Sequence, residues 1–161
     1  MPAAWLKMNY FKSLSHKVQT ARALSWSEWA ILVKAWIWLL YMDLLLRNRS
    51  FPRVQQVVGN QLSAKRQVPS GQEWNAIYRY QRFTTLAARY HLYPMTCLRQ
   101  ALALQVMLGG QGIHTKLRFG VRKETGKLLA HAWLEYEGQS IEVSGVGSIY
   151  FEQLASLEES A

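Results

Sequence analysis

Helix-forming segments fill the first two thirds of this 161-residue chain and alternating, strand-like segments follow, which predicts an α+β fold with an antiparallel sheet. Two observations carry this expectation. The run Pro94 to Leu108 joins a proline to strong helix formers and ends at Gly109-Gly110, so it reads as a helix with Cys97 in its first turn. From Ile113 the apolar period falls to two: Ile113, Thr115, Leu117, Phe119 and Val121 alternate with His114, Lys116, Arg118, Gly120 and Arg122.

Toward the amino terminus, Ser25-Trp26-Ser27-Glu28 has the capping-box pattern, and an apolar helix is expected after it from Trp29 to Leu46. This segment is apolar nearly all round, interrupted by Lys34 and Asp43, and falls a little short of the ~20 residues of a bilayer span. Two ionisable groups in so short a stretch are costly in lipid, which favours a buried or partner-facing helix over a transmembrane one. Arg47, Arg49 and Arg53 after it suit either an anionic membrane surface, as a peripheral contact, or solvent. Met1 to Ser25 is broken by Lys7, Lys12 and Lys17 and has no signal-peptide pattern. The expected organisation is a helical extension over residues 1–50 and one domain over 51–161.

Asn60 to Gly71 turns polar and reads as a loop. Trp74, Ile77, Tyr78, Leu86, Ala87 and Tyr90 recur at helical spacing, predicting a helix from Glu73 to about Tyr90 with these residues in the core. In the sheet, Lys123 to Lys127 supplies one turn, Leu128 to Tyr136 a second strand, Glu137-Gly138 another turn, and Gln139 to Ser144 a third strand. Tyr150 to Glu159 reads as a short helix.

Composition narrows the function classes. One cysteine excludes an internal disulfide and a cysteine-rich zinc site, making a reducing, cytoplasmic setting the default. His16, His91, His114 and His131 show no metal-ligand spacing, so neither a metal nor another cofactor is expected. The net charge of +9 admits nucleic acid, an anionic membrane or an acidic polypeptide, but the basic residues are scattered and form no nucleic-acid motif. No nucleic-acid partner is expected.

The chemistry centres on Cys97. Unpaired N–H groups and the helix dipole favour an anion at a helix start, and the thiolate is the nucleophilic form of cysteine. A lone cysteine on an apolar helix is otherwise a small buried hydrophobe. The order cysteine on a helix start, then His131 on a strand, then an acid is that of papain-like and transglutaminase-like enzymes. An imidazole base needs a carboxylate or amide to fix its tautomer. Glu135 lies ~13 Å from His131 along the strand at ~3.3 Å per residue, and Glu137 lies farther still. A two-residue loop at Glu137-Gly138 instead pairs Tyr136 with Gln139 and Trp133 with Glu142, placing Glu142 diagonal to His131 on the same face. Glu142 is therefore either the third member or an ordinary exposed strand residue. The backbone N–H of Cys97 is a candidate oxyanion donor. His91, upstream of the helix, is either a second donor or a loop residue.

The segments Met95-Thr96-Cys97-Leu98-Arg99-Gln100-Ala101-Leu102-Ala103-Leu104, Gly112-Ile113, and Ala130-His131-Ala132-Trp133-Leu134-Glu135 resemble the transglutaminase-like leader peptidases of bacterial lasso-peptide biosynthesis. The similarity runs from about Phe51 to Gly145. It implies a papain/transglutaminase-like fold over 51–161, in which the cysteine helix packs on the antiparallel sheet that carries the histidine. It also implies a cytoplasmic cysteine protease that removes the leader from a precursor and leaves the core for an ATP-dependent macrocyclase. Cys97 matches the nucleophile and His131 the general base. The resemblance leads one to expect an aspartate after the histidine, where this chain offers Glu142. Residues 1–49 read as helix rather than as a strand-built recognition domain, so a separate leader-recognition protein is implied. Acyl transfer or amide hydrolysis on the same machinery, and a non-catalytic scaffold that gathers biosynthetic proteins, are the alternative readings.

Overall fold

The computed structural model describes residues 24–61, 68–124, 127–143 and 152–153. They form helices α1 (Trp26–Asn48), α2 (Phe51–Gln61), α3 (Glu73–Arg89) and α4 (Cys97–Gly109), then strands β1 (Lys116–Glu124), β2 (Lys127–Tyr136), β3 (Gln139–Ile141) and β4 (Glu152–Gln153). The chain divides after Ala30 into two units.

In the first unit, the start of α1 is closed by the capping box expected there. The Ser25 N–H donates to Glu28 Oε2 at 2.8 Å, and the Glu28 N–H donates to Ser25 Oγ at 3.3 Å. Glu28 thus satisfies the Ser25 N–H, while the Glu28 N–H is shared between Ser25 Oγ and the Ser25 carbonyl.

In the second unit, α1 buries one stripe, Ile31, Ala35, Leu39, Met42 and Asp43, spaced three or four apart. By length and composition α1 could cross a bilayer, yet this stripe is packed inside the protein. Its opposite side leaves Val33, Ile37, Tyr41 and Leu44 exposed, which is why the segment reads as apolar all round. Helix α2 lies outside the helices expected above and starts where Ser50 O accepts the N–H groups of Arg53 and Val54. Pro52 fits this first turn because backbone donors there have no partner within the helix. Val54 and Val58 are buried, and Phe51 meets Phe119 of β1 edge to face.

Helix α3 spans the expected range and buries Ile77 and Ala87 as expected, but the rest of its buried set differs. Ile77, Phe83, Thr84 and Ala87 are inside, whereas Tyr78 and Tyr90, expected in the core, are exposed at 59% and 55%. An amphipathic ring tolerates such partial exposure.

Helix α4 lies at the core of the second unit: every residue from Gln100 to Gly109 is buried. Ala101, Leu104 and Leu108 pack with Ile77, Ile113, Leu134, Ile141 and Val143 in one core. The two buried glutamines on α4 are satisfied, Gln105 Nε2 donating to Thr115 O at 2.9 Å and Gln100 Nε2 to Met95 O at 2.8 Å. Past Gly109, the reversal into the sheet is made at Gly112, whose φ of 74° suits a residue without Cβ.

The sheet is antiparallel in the order β3-β2-β1-β4. Glu124 pairs with Lys127; Thr125 and Gly126, in the expected turn between them, lie outside the described residues. The third strand is shorter than expected, ending at Ile141 rather than Ser144, which lies outside the described residues. Gln81 and Thr85 of α3 bond the carbonyls of Glu142 and Val143, drawing the chain away from β2. The helix expected over Tyr150 to Glu159 is corrected where the structure describes it: Glu152 and Gln153 form β4, paired with Val121 and Gly120 on the open edge of β1. Pairing with an unfilled sheet edge outweighs local helix preference. The rest of that segment lies outside the described residues.

Candidate active site

Cys97 is the first residue of α4 and half-buried. Thr96, its N-cap, has extended backbone (φ −69°, ψ 160°) and makes no side-chain cap bond, and the first turn carries no acidic residue. The positive end of the helix dipole is therefore not offset by a side chain of its own first turn. Helix α4 packs against β2, the strand that carries His131.

The register around Glu137-Gly138 is Tyr136 with Gln139, Glu135 with Ser140 and Leu134 with Ile141. Both loop residues have positive φ, 50° and 77°, as the favoured two-residue hairpin turn requires. Continued by one residue, this register brings Glu142 level with Trp133 and diagonal to His131. Glu142 Oε2 then lies 2.8 Å from His131 Nε2. The His131 side chain is 4% exposed and that of Glu142 is 21% exposed. An ionised carboxylate only accepts, so in this contact Nε2 is the donor.

Three surroundings fix the pair. Gly120 stands opposite His131 on β1, so no side chain competes for the space of the imidazole there. Trp133, two residues along β2, stacks against the ring at 5.8 Å. Gln81 and Thr85, four residues apart on α3, donate to the carbonyls of Glu142 and Val143, the second at 3.0 Å. These two polar residues were not singled out from sequence. Their i, i+4 spacing was visible, but the carbonyls that they reach are some sixty residues away.

The other two glutamates are occupied elsewhere. Glu135 binds Arg118 through two contacts, Nε to Oε2 at 3.2 Å and Nη2 to Oε1 at 3.0 Å. Glu137 sits in the exposed turn. His91 lies in the loop before α4 with its ring stacked on Trp36 at 4.7 Å. Among the described residues, no group of three or more His, Cys, Asp or Glu side chains could hold a metal ion.

The profile of the transglutaminase-like superfamily matches residues 37–156, more than half of the chain. This chain belongs to the transglutaminase-like superfamily. No curated protein and no solved structure matches it. This superfamily generally contains cysteine peptidases and acyl transferases, which points to an activity of that type. It agrees with the mixed helix and antiparallel-sheet architecture described above. The matched region of this transglutaminase-like chain begins inside α1 and takes in Cys97, His131 and Glu142.

Proposed function

We propose that this chain is a cytoplasmic cysteine peptidase that removes the leader from a ribosomally made lasso-peptide precursor, with Cys97 as nucleophile, His131 as base and Glu142 as the acid that orients it. The observation that carries the reading is the buried imidazole–carboxylate contact of 2.8 Å, in a transglutaminase-like chain whose single cysteine begins a central helix. The resemblance around Cys97 and His131 narrows the class to leader peptidases.

In this mechanism His131 Nδ1 takes the thiol proton, and the thiolate sulfur bonds to the carbonyl carbon of the scissile peptide. The Cys97 backbone N–H stabilises the resulting oxyanion. The intermediate collapses with loss of the C–N bond, and the imidazolium gives its proton to the leaving amine. His131 next takes a proton from water, whose oxygen attacks the thioester, and returns it to the departing sulfur. Glu142 holds the imidazole throughout and stabilises its charged form.

The partners of this reading are the precursor's leader, a separate leader-recognition protein and an ATP-dependent macrocyclase; nucleic acid is not among them. The exposed side of α1, Val33, Ile37, Tyr41 and Leu44, supports a docking role, with a peripheral membrane contact as the other use of that face. Product mass tests the reaction. Incubation with a short precursor encoded beside this chain and with its leader-binding neighbour should yield two fragments whose summed mass exceeds the precursor by one water. A joined species in the presence of an amine would establish acyl transfer instead, and an unchanged precursor would leave the scaffold reading.

A further inference from the structure

Asp43 lies on the buried side of α1 and is 2% exposed. A carboxylate so deep is costly unless cations meet it. Two do. Arg47, one turn along α1, donates from Nε to Oδ2 at 2.9 Å. Nε of Arg99 stands 2.8 Å from Oδ1. The second approach is an ion contact rather than a directed hydrogen bond, since neither atom satisfies hydrogen-bond geometry. It nevertheless joins α1 to the third residue of α4, two positions after Cys97.

The location gives this contact its consequence. The start of α4 has no side-chain cap and no acidic residue in its first turn. Arg99 adds a cation where the helix dipole is already positive, which opposes helix formation but favours an anion at Cys97. Asp43 supplies from another helix the negative charge that the first turn lacks. Gln100, the next residue, ties the incoming chain at Met95 O. The start of the cysteine helix is thus gripped on two sides.

We infer that Asp43 is a positioning residue for Cys97: by holding Arg99 it fixes the first turn of α4 and sets how much positive charge that turn presents to the thiol. This inference rests on the reading of Cys97 as nucleophile. The other charged or titratable groups of the candidate site and of the Asp43 contact are the His131–Glu142 pair in the sheet, Arg47 on α1 and His91 in the loop before α4. All four residues stay constant in the comparison below.

The test is a double-mutant cycle on the full chain, reading the rate at which iodoacetamide modifies Cys97 at neutral pH, followed by mass spectrometry. Asp43→Asn leaves two cations with one partner fewer and should raise the rate several-fold. Arg99→Met leaves the carboxylate and removes a cation, and should lower the rate several-fold. The double variant should return to within about twofold of the unmodified chain. Breaking the same contact from its two ends should therefore move the rate in opposite directions, which loosening of the helix would not do. If both single variants move the rate the same way, or neither moves it, the inference is overturned while the nucleophile stands. If Asp43→Asn does not fold, Arg99→Lys against Arg99→Met decides: the lysine should keep the rate within about twofold and the methionine should lower it, and equal rates would reject the role of charge. A Cys97 that does not react in the unmodified chain would remove the nucleophile itself and the inference with it.

Discussion

Glu142 Oε2 and His131 Nε2 are 2.8 Å apart although Glu142 lies beyond the last residue of its strand. The hairpin register sets Glu142 diagonal to His131, and α3 then holds the chain at Glu142 and Val143. In the proposed mechanism a carboxylate in this position fixes which ring nitrogen of His131 is basic, and so acts on turnover without touching substrate.

Replacing that carboxylate by an amide of the same shape should preserve the fold and lose catalysis. Glu142→Gln should lower kcat by roughly 10²–10⁴-fold, with a circular-dichroism spectrum unchanged from the parent. Glu135→Gln weakens only the contact with Arg118, and Glu137→Gln changes only the exposed turn, so each should stay within about threefold of the parent. Equal losses at all three positions would remove Glu142 from this role.

Thr85→Val removes the hydroxyl that binds Val143 O but keeps the shape of the side chain. It should cost about 1 kcal/mol of stability by urea titration. It should also lower kcat by less than Glu142→Gln does, with KM little changed, because the carboxylate is displaced rather than lost. An unchanged kcat would show that the carbonyl contacts do not position Glu142.

Gly138 has φ +77° and open space where a Cβ would stand, so an added methyl group costs backbone strain and no clash. Gly138→Ala should destabilise the protein by roughly 1–2 kcal/mol. A stability equal to the parent in urea would show that the turn can adopt another form.

Burial raises the Tyr80 hydroxyl above its ordinary value of 10.0, and the charge on Arg79 opposes that rise. The folded chain holds this proton to higher pH than the unfolded chain. Stability from Tyr80 is therefore complete below the unfolded value and is lost as pH rises through the folded one. Tyr80→Phe should show a smaller drop in urea midpoint than the parent between about pH 9 and about pH 11. An identical drop would assign the alkaline loss to other groups.

Much of the site's surroundings was legible because it depends on neighbours in sequence. The capping box at Ser25 and Glu28, the helix start at Cys97 and the turn at Glu137-Gly138 are each decided within a few residues, and the turn alone implies the register that brings Glu142 toward His131. What escaped depends on distant partners. Asp43 reads as an interruption of an apolar helix until Arg99 is seen beside it, fifty-six positions later. Ile141 ends its strand because α3 takes the carbonyls that follow. Glu152 and Gln153 lie in a helix-like sequence, yet an open edge of β1 offers them pairing. Tyr78 and Tyr90 keep a helical spacing whose period says nothing of which ring ends in water.

Modification of Cys97 decides most directly between a nucleophile and a buried hydrophobe. The full chain is treated with iodoacetamide at neutral pH, the modified residue is located by peptide mapping, and cleavage of the precursor is measured on the same sample. Quantitative modification at Cys97 with complete loss of cleavage is the expected result, and Cys97→Ser should be nearly inactive as well. Full cleavage by a quantitatively modified chain would contradict a catalytic role for Cys97.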